Sequence, residues 1–408
     1  MNADTVWIMV CTALVLLMTP AVGLFYGGLV RKKNALSTLL YSFGSLAIVS
    51  ILWITVGYTL AFGPSIGGVI GSLRHVGLQG VSAAVPETGI PPMLFMAFQM
   101  TFAAITPALI SGAFVERKRF AAFLLFVPLW SLLVYCPIAH WVWADGGWLA
   151  SDGALDFAGG TVVHIASGIA ALVCAVMVGR RRGFGTENVE PHNLTFTMLG
   201  AGMLWFGWFG FNAGSALAAD SVAVNALITT HTAAASGAMA WLLLAWLVHR
   251  KPSAVGVAIG AVAGLVGITP AAGFVTPMSA LAIGAITSGA CYLVTELFMR
   301  GRVDDSLDVF GVHGVGGIVG AILTGFFATK VVNPAGADGF LAGNPVLVLI
   351  QLKAVLAVAA YSAVATALVL GLIRLLVGLR VTATEEEAGL DRSQHGERAY
   401  PKSVFPTA

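Results

Sequence analysis

The sequence predicts an all-α polytopic membrane protein with eleven transmembrane helices. The 408 residues are 58% hydrophobic and 10% charged, whereas a soluble protein carries roughly 25% charged residues. Apolar segments long enough to cross a bilayer recur along the whole chain, in place of the short alternating segments of a β-barrel. The 49 glycines also favour close packing of helices in lipid.

The first span begins near the N-terminus, because the apolar run from Val6 to Val30 is too long for a signal peptide and no basic segment precedes it. The predicted spans cover residues 6–29, 36–62, 91–115, 120–141, 161–179, 194–214, 222–248, 254–271, 278–299, 310–330 and 345–376. The chain therefore divides into a transmembrane domain, residues 1–376, and a polar tail, residues 377–408. The tail is either a solvated segment or a regulatory docking segment.

The distribution of basic residues predicts the orientation. Of the 21 Lys and Arg residues, 18 lie in the odd-numbered loops or on the side of the tail, whereas the even-numbered loops hold little beyond Arg74 and Lys330. Cytoplasmic loops are the ones enriched in Lys and Arg. The N-terminus is therefore predicted outside and the C-terminus inside, and an odd number of spans requires the same arrangement.

A short internal similarity predicts an inverted repeat. His164 and His313 are each followed by a glycine four residues later, and each histidine follows an acid, Asp156 or Asp308. The two histidines lie in spans that run in opposite directions. This pattern predicts two five-helix halves of opposite topology, about residues 6–179 and 194–330, with the last helix outside the repeat. Transporters built in this way hold their site near the midplane, between the halves.

Ionisable groups within a bilayer are costly and usually functional. Two facing neutral imidazoles would share one proton and offer a polar, uncharged path to a small molecule that donates and accepts hydrogen bonds. Alternatively, each histidine bonds a backbone carbonyl. Counting along the spans places both histidines less than halfway into the membrane, from opposite faces, so hydropathy alone does not bring them together. A metal site is not predicted, because no Cys, Asp or Glu lies at ligand spacing.

Asp156 and several aromatic residues precede or line these spans. Asp156 is either the N-cap of the fifth helix or a fixed negative charge that attracts a cation. Trp143, Trp208, Phe102 and Phe211 are either interfacial and core residues or parts of a cation–π site and a gate, with the hydroxyl of Ser215 nearby. No hydrolase, nucleotide-binding or zinc-protease motif is present, so neither an enzyme nor a nucleic-acid-binding protein is predicted.

The segment Asp156-Phe-Ala-Gly-Gly-Thr-Val-Val-His164 resembles the signature of the ammonium transporter (Amt/Rh) family, and of its bacterial Amt branch in particular. The likeness covers nearly the whole chain, in order, through residues 21–31, 112–117, 207–215, 264–270, 308–314 and 389–400.

The resemblance implies a homotrimer in the cytoplasmic membrane, with one pore in each subunit and no cofactor. Its pore residues would be the twin histidines His164 and His313, the gate Phe102 and Phe211, and the lining residue Trp208. Trp143 and Ser215 would recruit ammonium or methylammonium with Phe102 and Asp156, although the neighbouring Trp141 leaves open which tryptophan faces the pore. The tail would couple subunits and dock a PII-type regulator.

We therefore expect ammonium transport: recruitment of the cation outside, its deprotonation, passage of NH₃ past the gate, and proton relay by the histidines. Two alternatives remain at this point. One is a passive channel for NH₃ or CO₂ of the Rh type, and the other is an ammonium sensor that signals through the tail.

Overall fold

A computed structural model describes residues 2–186 and 189–400; residues 401–408 of the predicted tail, with Lys402, lie outside the described residues. The described chain forms apolar helical runs that follow one another in order, and we name them α1 to α11. They are Ala3–Leu29, Lys32–Phe62, Pro92–Ser111, Phe120–Ser151 (with a break at residues 144–147), Gly160–Val178, Leu194–Gly214, Ser221–His249, Ala254–Ile268, Pro277–Met299, Phe310–Phe327 and Val346–Leu376.

The predicted all-helical, multi-pass architecture is confirmed, but the number of spans is only partly settled. Ten of the runs in the described residues are long and apolar enough to cross a membrane. The run α8 has 15 residues, which at 1.5 Å per residue extends over about 22 Å, short of a hydrocarbon core of about 30 Å. The count of eleven spans and the orientation of the termini therefore stay predictions.

Short elements connect and follow the helices. Strands β1, Ser65–Ile66, and β2, Ile70–Gly71, form an antiparallel pair between α2 and α3. Two 3₁₀ turns, Leu73–Leu78 and Phe340–Ala342, lie in loops. The tail adds two short helices, α12 (Ala383–Ala388) and α13 (Leu390–His395).

The helices pack in pairs that agree with two related halves. Helix α1 packs along α6, and α5 packs against α10. Within the halves, α2 packs on α3 and α7 packs on α8. A two-fold axis that exchanges helices one to five with helices six to ten produces this set of contacts. The inverted repeat itself stays a prediction.

Glycines allow α5 and α10 to approach closely. A Cβ atom on Gly168 would collide with the backbone of Gly314, and a Cβ on Gly317 would lie 2.8 Å from the carbonyl oxygen of Gly160. Small residues let helix backbones come together in this way. Gly168 and Gly317, each four residues after a histidine, therefore set the distance between α5 and α10.

An ion network joins the loops at the face that carries the tail. Helix α3 ends at Ser111, four residues before its predicted end, because the chain turns there and places Glu116, at a φ of +71°, in the network. The Glu116 carboxylate lies 3.1 Å from Arg31 and 3.2 Å from Arg181. Although burial would raise its pKa, Arg181 and Arg31 hold the pKa of Glu116 below its usual value. The network thereby ties three loops of the transmembrane domain together.

The tail is bonded to the same loops. Backbone hydrogen bonds join Arg119 to Leu379 and Val381 to Arg117. The Asp391 carboxylate accepts hydrogen bonds from the backbone N–H groups of Leu36 and Ser37, at 3.1 and 2.8 Å. These contacts hold the described part of the tail against the transmembrane domain.

Candidate functional site

The site is built on the N-terminal ends of α5 and α10, where acids fix the backbone. The buried carboxylate of Asp156 accepts hydrogen bonds from the backbone N–H groups of Gly159, Gly160 and Thr161 at 2.6–2.8 Å. The Thr161 hydroxyl also donates to it. Asp156 is thus the capping residue that one of the two sequence interpretations predicts, and its carboxylate charge stabilises the helix N-terminus.

Each histidine follows in a π-helical turn. His164 lies in the turn Gly160–Ile165, and His313 lies in the turn Phe310–Gly314. Such turns are rare and occur frequently at functional sites. The wider turn and the close approach of α5 and α10 bring the two imidazoles together. Their Nδ1 atoms lie 3.1 Å apart, and the rings are nearly parallel, with an interplanar angle of 21°.

This contact fixes the hydrogen-bonding character of the pair. Since a neutral imidazole carries one N–H, one Nδ1 must donate to the other. The donating ring then has an unprotonated Nε2, and the accepting ring has an Nε2–H. The Nε2 atom of His164 is buried and has no hydrogen-bond partner among the described residues. The pair therefore offers a donor and an acceptor to a small polar molecule.

A cavity of about 20 Å³ borders both imidazoles. Apart from Tyr26, whose hydroxyl donates to the Leu109 carbonyl at 3.1 Å, and Trp208, whose indole N–H donates to the Thr269 hydroxyl at 2.9 Å, its other walls are apolar side chains. The His164 ring stacks on Trp208 with 5.5 Å between ring centroids. A water molecule needs roughly 10–15 Å³ of this kind of volume. The cavity thus has room for about one molecule of that size.

The side chains of Phe102 and Phe211 separate this cavity from a second one. Their ring centroids lie 4.2 Å apart, at an angle of 34°. The Phe211 ring also stacks on His164, with 6.1 Å between centroids. The two phenyl rings are therefore in contact directly above the histidine pair.

The second cavity, which we name the outer cavity, has a volume of about 120 Å³ and lies at the end of α4 remote from the tail. It is lined by Phe95, Gln99, Phe102, Trp143, Phe157, Ser215 and Leu217. The Ser215 hydroxyl donates to the Phe211 carbonyl at 2.8 Å, which leaves the lone pairs of its oxygen available. Aromatic faces with an oxygen acceptor suit a small cation.

A third cavity, the inner cavity, has a volume of about 250 Å³ and opens on the tail side of His313. Its polar lining comes from His313 and from Tyr26, Arg181, Ser306 and Asp308. Burial raises the pKa of Asp308 to about 7, with further contributions from Asp305 and Glu296 and opposition from Arg181 and Arg300. The inner cavity begins at His313 and contains a carboxyl group whose pKa lies near neutral pH. Such a cavity is suited to proton exchange.

The structure brings most of the predicted site residues together. Trp143, Phe102 and Ser215 share the outer cavity, and Phe211, Trp208, His164 and His313 follow beneath it. Asp156 is not among the residues that line the outer cavity, because its carboxylate points to the start of α5. Trp143 instead contacts Asp156 through the backbone, with the indole N–H donating to the Asp156 carbonyl at 2.9 Å.

The structure also decides between the two neighbouring tryptophans. Trp143 faces the outer cavity, whereas Trp141 donates to the Val69 carbonyl and packs on Tyr361. Trp205 lines none of the cavities described here and packs against His231, with 5.4 Å between ring centroids and an angle of 36°.

Sequence reasoning missed three residues of the site. Asp305, eight residues before His313, accepts a hydrogen bond from the Phe310 N–H at 2.7 Å, as Asp156 caps α5 eight residues before His164. The shared spacing of eight residues is the signal in the sequence that makes Asp305, and not Asp308, the counterpart of Asp156. The other two are Thr269, which holds Trp208, and Gln99, whose buried Oε1 has no partner among the described residues.

The family model described as the Ammonium Transporter Family matches residues 6–400. The chain belongs to this family. The ammonium transporter of Bacillus subtilis (strain 168) is 52% identical over 98% of this chain and 99% of its own length. Among solved structures, Saccharomyces cerevisiae Mep2 is 40% identical, with a TM-score of 0.90 over 98% of this chain and 92% of that one. A sensor Amt protein, 30% identical, also has a TM-score of 0.90, over 97% of this chain and 98% of its own.

Proposed function

We propose that this member of the family carries ammonium inward across the cytoplasmic membrane, with its N-terminus outside and its tail in the cytoplasm. One observation supports this most strongly. The outer cavity, which suits a small cation, is followed by the two phenyl rings and then by the hydrogen-bonded pair of imidazoles. The relatives named as ammonium transporters support the choice of substrate.

The outer cavity recruits the ammonium ion. The π-faces of Trp143 and Phe102 attract its charge, and the oxygen atoms of Ser215 and Gln99 accept its N–H groups. Asp156 acts indirectly, because it holds the backbone carbonyl that orients the Trp143 indole. Methylammonium is small and cationic and fits the same chemistry.

Ammonium gives up a proton before it passes the phenyl rings. Moving a bare cation past apolar rings requires several kcal/mol of compensation, whereas neutral ammonia requires little. The energetic difference also gives selectivity, because a potassium ion of similar size has no proton to lose. Phe102 and Phe211 therefore serve as the gate between the outer cavity and the histidines.

The histidine pair then serves two purposes. It provides a donor and an acceptor to ammonia in the small cavity, and it forms part of the path by which the proton crosses. The proton rejoins ammonia on the inner side, so that the net species moved is the ammonium ion. Trp208, held by Thr269, keeps the first imidazole in place by stacking.

We further propose that the chain assembles as a homotrimer with one pore in each subunit, and that the tail is its regulatory segment, separate from the transmembrane domain of residues 1–376. Asp391 of the tail accepts hydrogen bonds from the N–H groups of Leu36 and Ser37, next to the first loop. Movement of the tail would therefore displace the adjoining ends of α1 and α2. A regulator of the PII type would act by binding at this face.

The test is electrical. The full chain is reconstituted in proteoliposomes, and ammonium, methylammonium and potassium pulses are applied. The expected result is a current with ammonium, a smaller one with methylammonium and none with potassium. The variant His164→Ala should lose most of the current, whereas His231→Ala, which changes a histidine outside the pore, should retain it.

Each other outcome has a distinct meaning. A pH change without current in the wild-type protein would indicate passive passage of NH₃. If His164→Ala kept an undiminished, ammonium-selective current, the proposed role of His164 in proton relay would be ruled out. A wild-type protein that binds ammonium and moves none would be a sensor.

A further inference from the structure

The last helix, α11, carries a buried amide that bonds to two other elements. Gln351 lies in the second turn of α11, at the end remote from the tail, and is 1% exposed. Its Nε2 donates to the carbonyl oxygens of Leu155, at 2.8 Å, and Ala321, at 3.0 Å, and its Oε1 accepts the Leu155 N–H at 2.8 Å. Both N–H groups of the amide and its oxygen are thus in use. A polar side chain within a membrane span is costly, and such residues usually have a function.

A glycine of α10 makes room for this amide. A Cβ atom on Gly325 would lie 2.9 Å from Cα of Val348 and 3.3 Å from Cγ of Gln351. Small residues allow helices to approach each other in this way, so α11 comes close enough to α10 for the amide to reach the Ala321 carbonyl. Packing and hydrogen bonding together therefore fix the amide relative to α10.

The backbone that Gln351 holds leads to the outer cavity. In the part of the chain that the structure describes, Gln351 is the hydrogen-bond partner of both backbone polar groups of Leu155, the residue before Asp156. Because the peptide unit is planar, a fixed Leu155 carbonyl also fixes the Cα atom of Asp156. The Asp156 carbonyl in turn accepts the indole N–H of Trp143, which lines the outer cavity. A continuous set of bonds thus connects α11 to the aromatic wall of that cavity.

The same segment has two further attachments. The Phe157 N–H donates to the Pro270 carbonyl at 3.1 Å, and the Asp156 carboxylate caps α5. These attachments do not depend on Gln351. Loss of the Gln351 amide should therefore displace the Leu155–Asp156 peptide and leave α5 folded.

We propose that Gln351 is a positioning residue for ammonium recruitment, a role that rests on the function proposed for the outer cavity. Gln351 does not line this cavity. It fixes the Leu155–Asp156 peptide, which sets the position of the Trp143 indole and hence the affinity of the cavity for the cation. The last helix, which lies outside the predicted repeat, thereby takes part in recognition of the cation.

The experiment measures ammonium-evoked current against ammonium concentration for the full chain in proteoliposomes. Gln351→Leu removes the amide and keeps a side chain of similar size. Its half-saturating ammonium concentration should rise roughly 2- to 30-fold, the range for a weakened cation–π contact. The maximal current per protein should stay near the wild-type value, because the histidine pair is unchanged. Thr366→Val is the matched control. It removes the acceptor of the Trp130 indole N–H in a buried contact between α11 and α4, and it should keep the wild-type half-saturating concentration.

Gln351→Glu gives a readout that general loosening of the protein does not produce. A carboxyl group has the size of the amide and still accepts the Leu155 N–H, so this variant tests the proposal even if Gln351→Leu folds poorly. As a carboxylate it repels the two carbonyl oxygens, whereas the protonated form donates to one of them. The ratio of its half-saturating concentration to that of the wild type should therefore fall between pH 8 and pH 5.5. The ratio for Gln351→Leu should not change with pH.

Hydrogen–deuterium exchange in detergent tests the position of the segment without transport. The backbone N–H groups of residues 152–161 should exchange faster in Gln351→Leu than in the wild type or in Thr366→Val. If the wild type gives no ammonium current, the proposed function fails, and the exchange result still decides whether Gln351 holds the segment. An unchanged half-saturating concentration in Gln351→Leu, an equal shift in Thr366→Val, or a fall in maximal current alone would overturn the proposal.

Discussion

The Nδ1 atoms of His164 and His313 lie 3.1 Å apart, although 149 residues separate the two histidines in the sequence. Because one ring must donate to the other, neither can be altered without changing the hydrogen bonding of its partner. The two side chains form a single functional unit.

This unity predicts non-additive effects. His164→Ala and His313→Ala should each lower the ammonium current strongly, and the double variant should lose little more than the worse single variant, since residues that act together show coupling. Currents in proteoliposomes, normalised to protein content, provide the measurement. Losses that multiply in the double variant would mean that the histidines act independently.

The distance between the histidines depends on Gly168. Gly168→Ala places a methyl group against the backbone of Gly314, which should destabilise the protein by roughly 1–3 kcal/mol and lower the current by separating the imidazoles. Gly202→Ala is the matched control, because its Cβ meets nothing within 4 Å. Thermal unfolding in detergent and current measurements are compared for the two variants. Equal behaviour of both would contradict a role for the close helix contact.

Trp143 should determine affinity for the cation. A cation–π contact contributes about 0.5–2 kcal/mol, so Trp143→Leu should raise the half-saturating ammonium concentration roughly 2- to 30-fold. Trp205→Leu makes the same substitution at a tryptophan that packs against His231 outside the outer cavity, and the affinity of this variant for ammonium should be unchanged. Concentration series of the current measure both. A shift of similar size in Trp205→Leu would point to a general packing effect.

Asp156 should contribute more to folding than to contact with the ion. Asp156→Ala leaves the N–H groups of Gly159, Gly160 and Thr161 without their acceptor, at roughly 1–3 kcal/mol for each unsatisfied buried group. This variant should yield little monodisperse protein, whereas Asp156→Asn, which keeps one acceptor oxygen, should be less affected. Asp145→Asn changes an exposed acid on the same side and should unfold like the wild type. A stable Asp156→Ala protein with lost affinity would instead assign the acid to recruitment.

The raised pKa of Asp308 predicts that the stability of the protein depends on pH. A carboxyl group whose pKa rises to about 7 in the folded protein binds its proton more tightly there than in the unfolded chain. The free energy of unfolding therefore falls as pH rises from the usual carboxyl range to about 7, and the loss is complete above it. Asp308→Asn should unfold at a higher temperature than the wild type at pH 8, and asparagine also tolerates the φ of +55° at this position.

The comparison is made by thermal unfolding at pH 5.5 and pH 8. The difference between the two proteins should be smaller at pH 5.5 than at pH 8, because at the lower pH the wild-type carboxyl group keeps its proton in the folded protein and only part of the loss has occurred. A constant difference between them at both values would mean that Asp308 does not titrate in this range.

Composition, hydropathy and short motifs were sufficient to predict the helices and to select His164 and His313. They were insufficient to place the imidazoles in contact. Hydropathy locates residues along a span, whereas the contact depends on π-helical turns and on Gly168 lying against Gly314. The first is a local backbone feature and the second is a tertiary contact, and hydropathy reports neither.

The acids illustrate the same limit. The spacing of eight residues pairs Asp156 with Asp305, but Asp308 is the acid nearer to His313 in the sequence, and only the geometry of the helix cap distinguishes the two acids. Likewise, two tryptophans two residues apart on one helix face different surroundings, and only packing shows that Trp143 lines the outer cavity.

The contact between Phe102 and Phe211 has a further consequence, for the energy supply of the cell. An unbroken chain of water molecules through a membrane protein conducts protons, and each proton that leaks inward dissipates about 2.3 kcal/mol per 100 mV of membrane potential. Two phenyl rings with centroids 4.2 Å apart interrupt such a chain while they remain in contact, so in the proposed mechanism a proton reaches the histidines only when ammonia passes the rings. A cell can therefore hold many copies of this protein in its membrane, idle in the absence of ammonium, and keep its membrane potential.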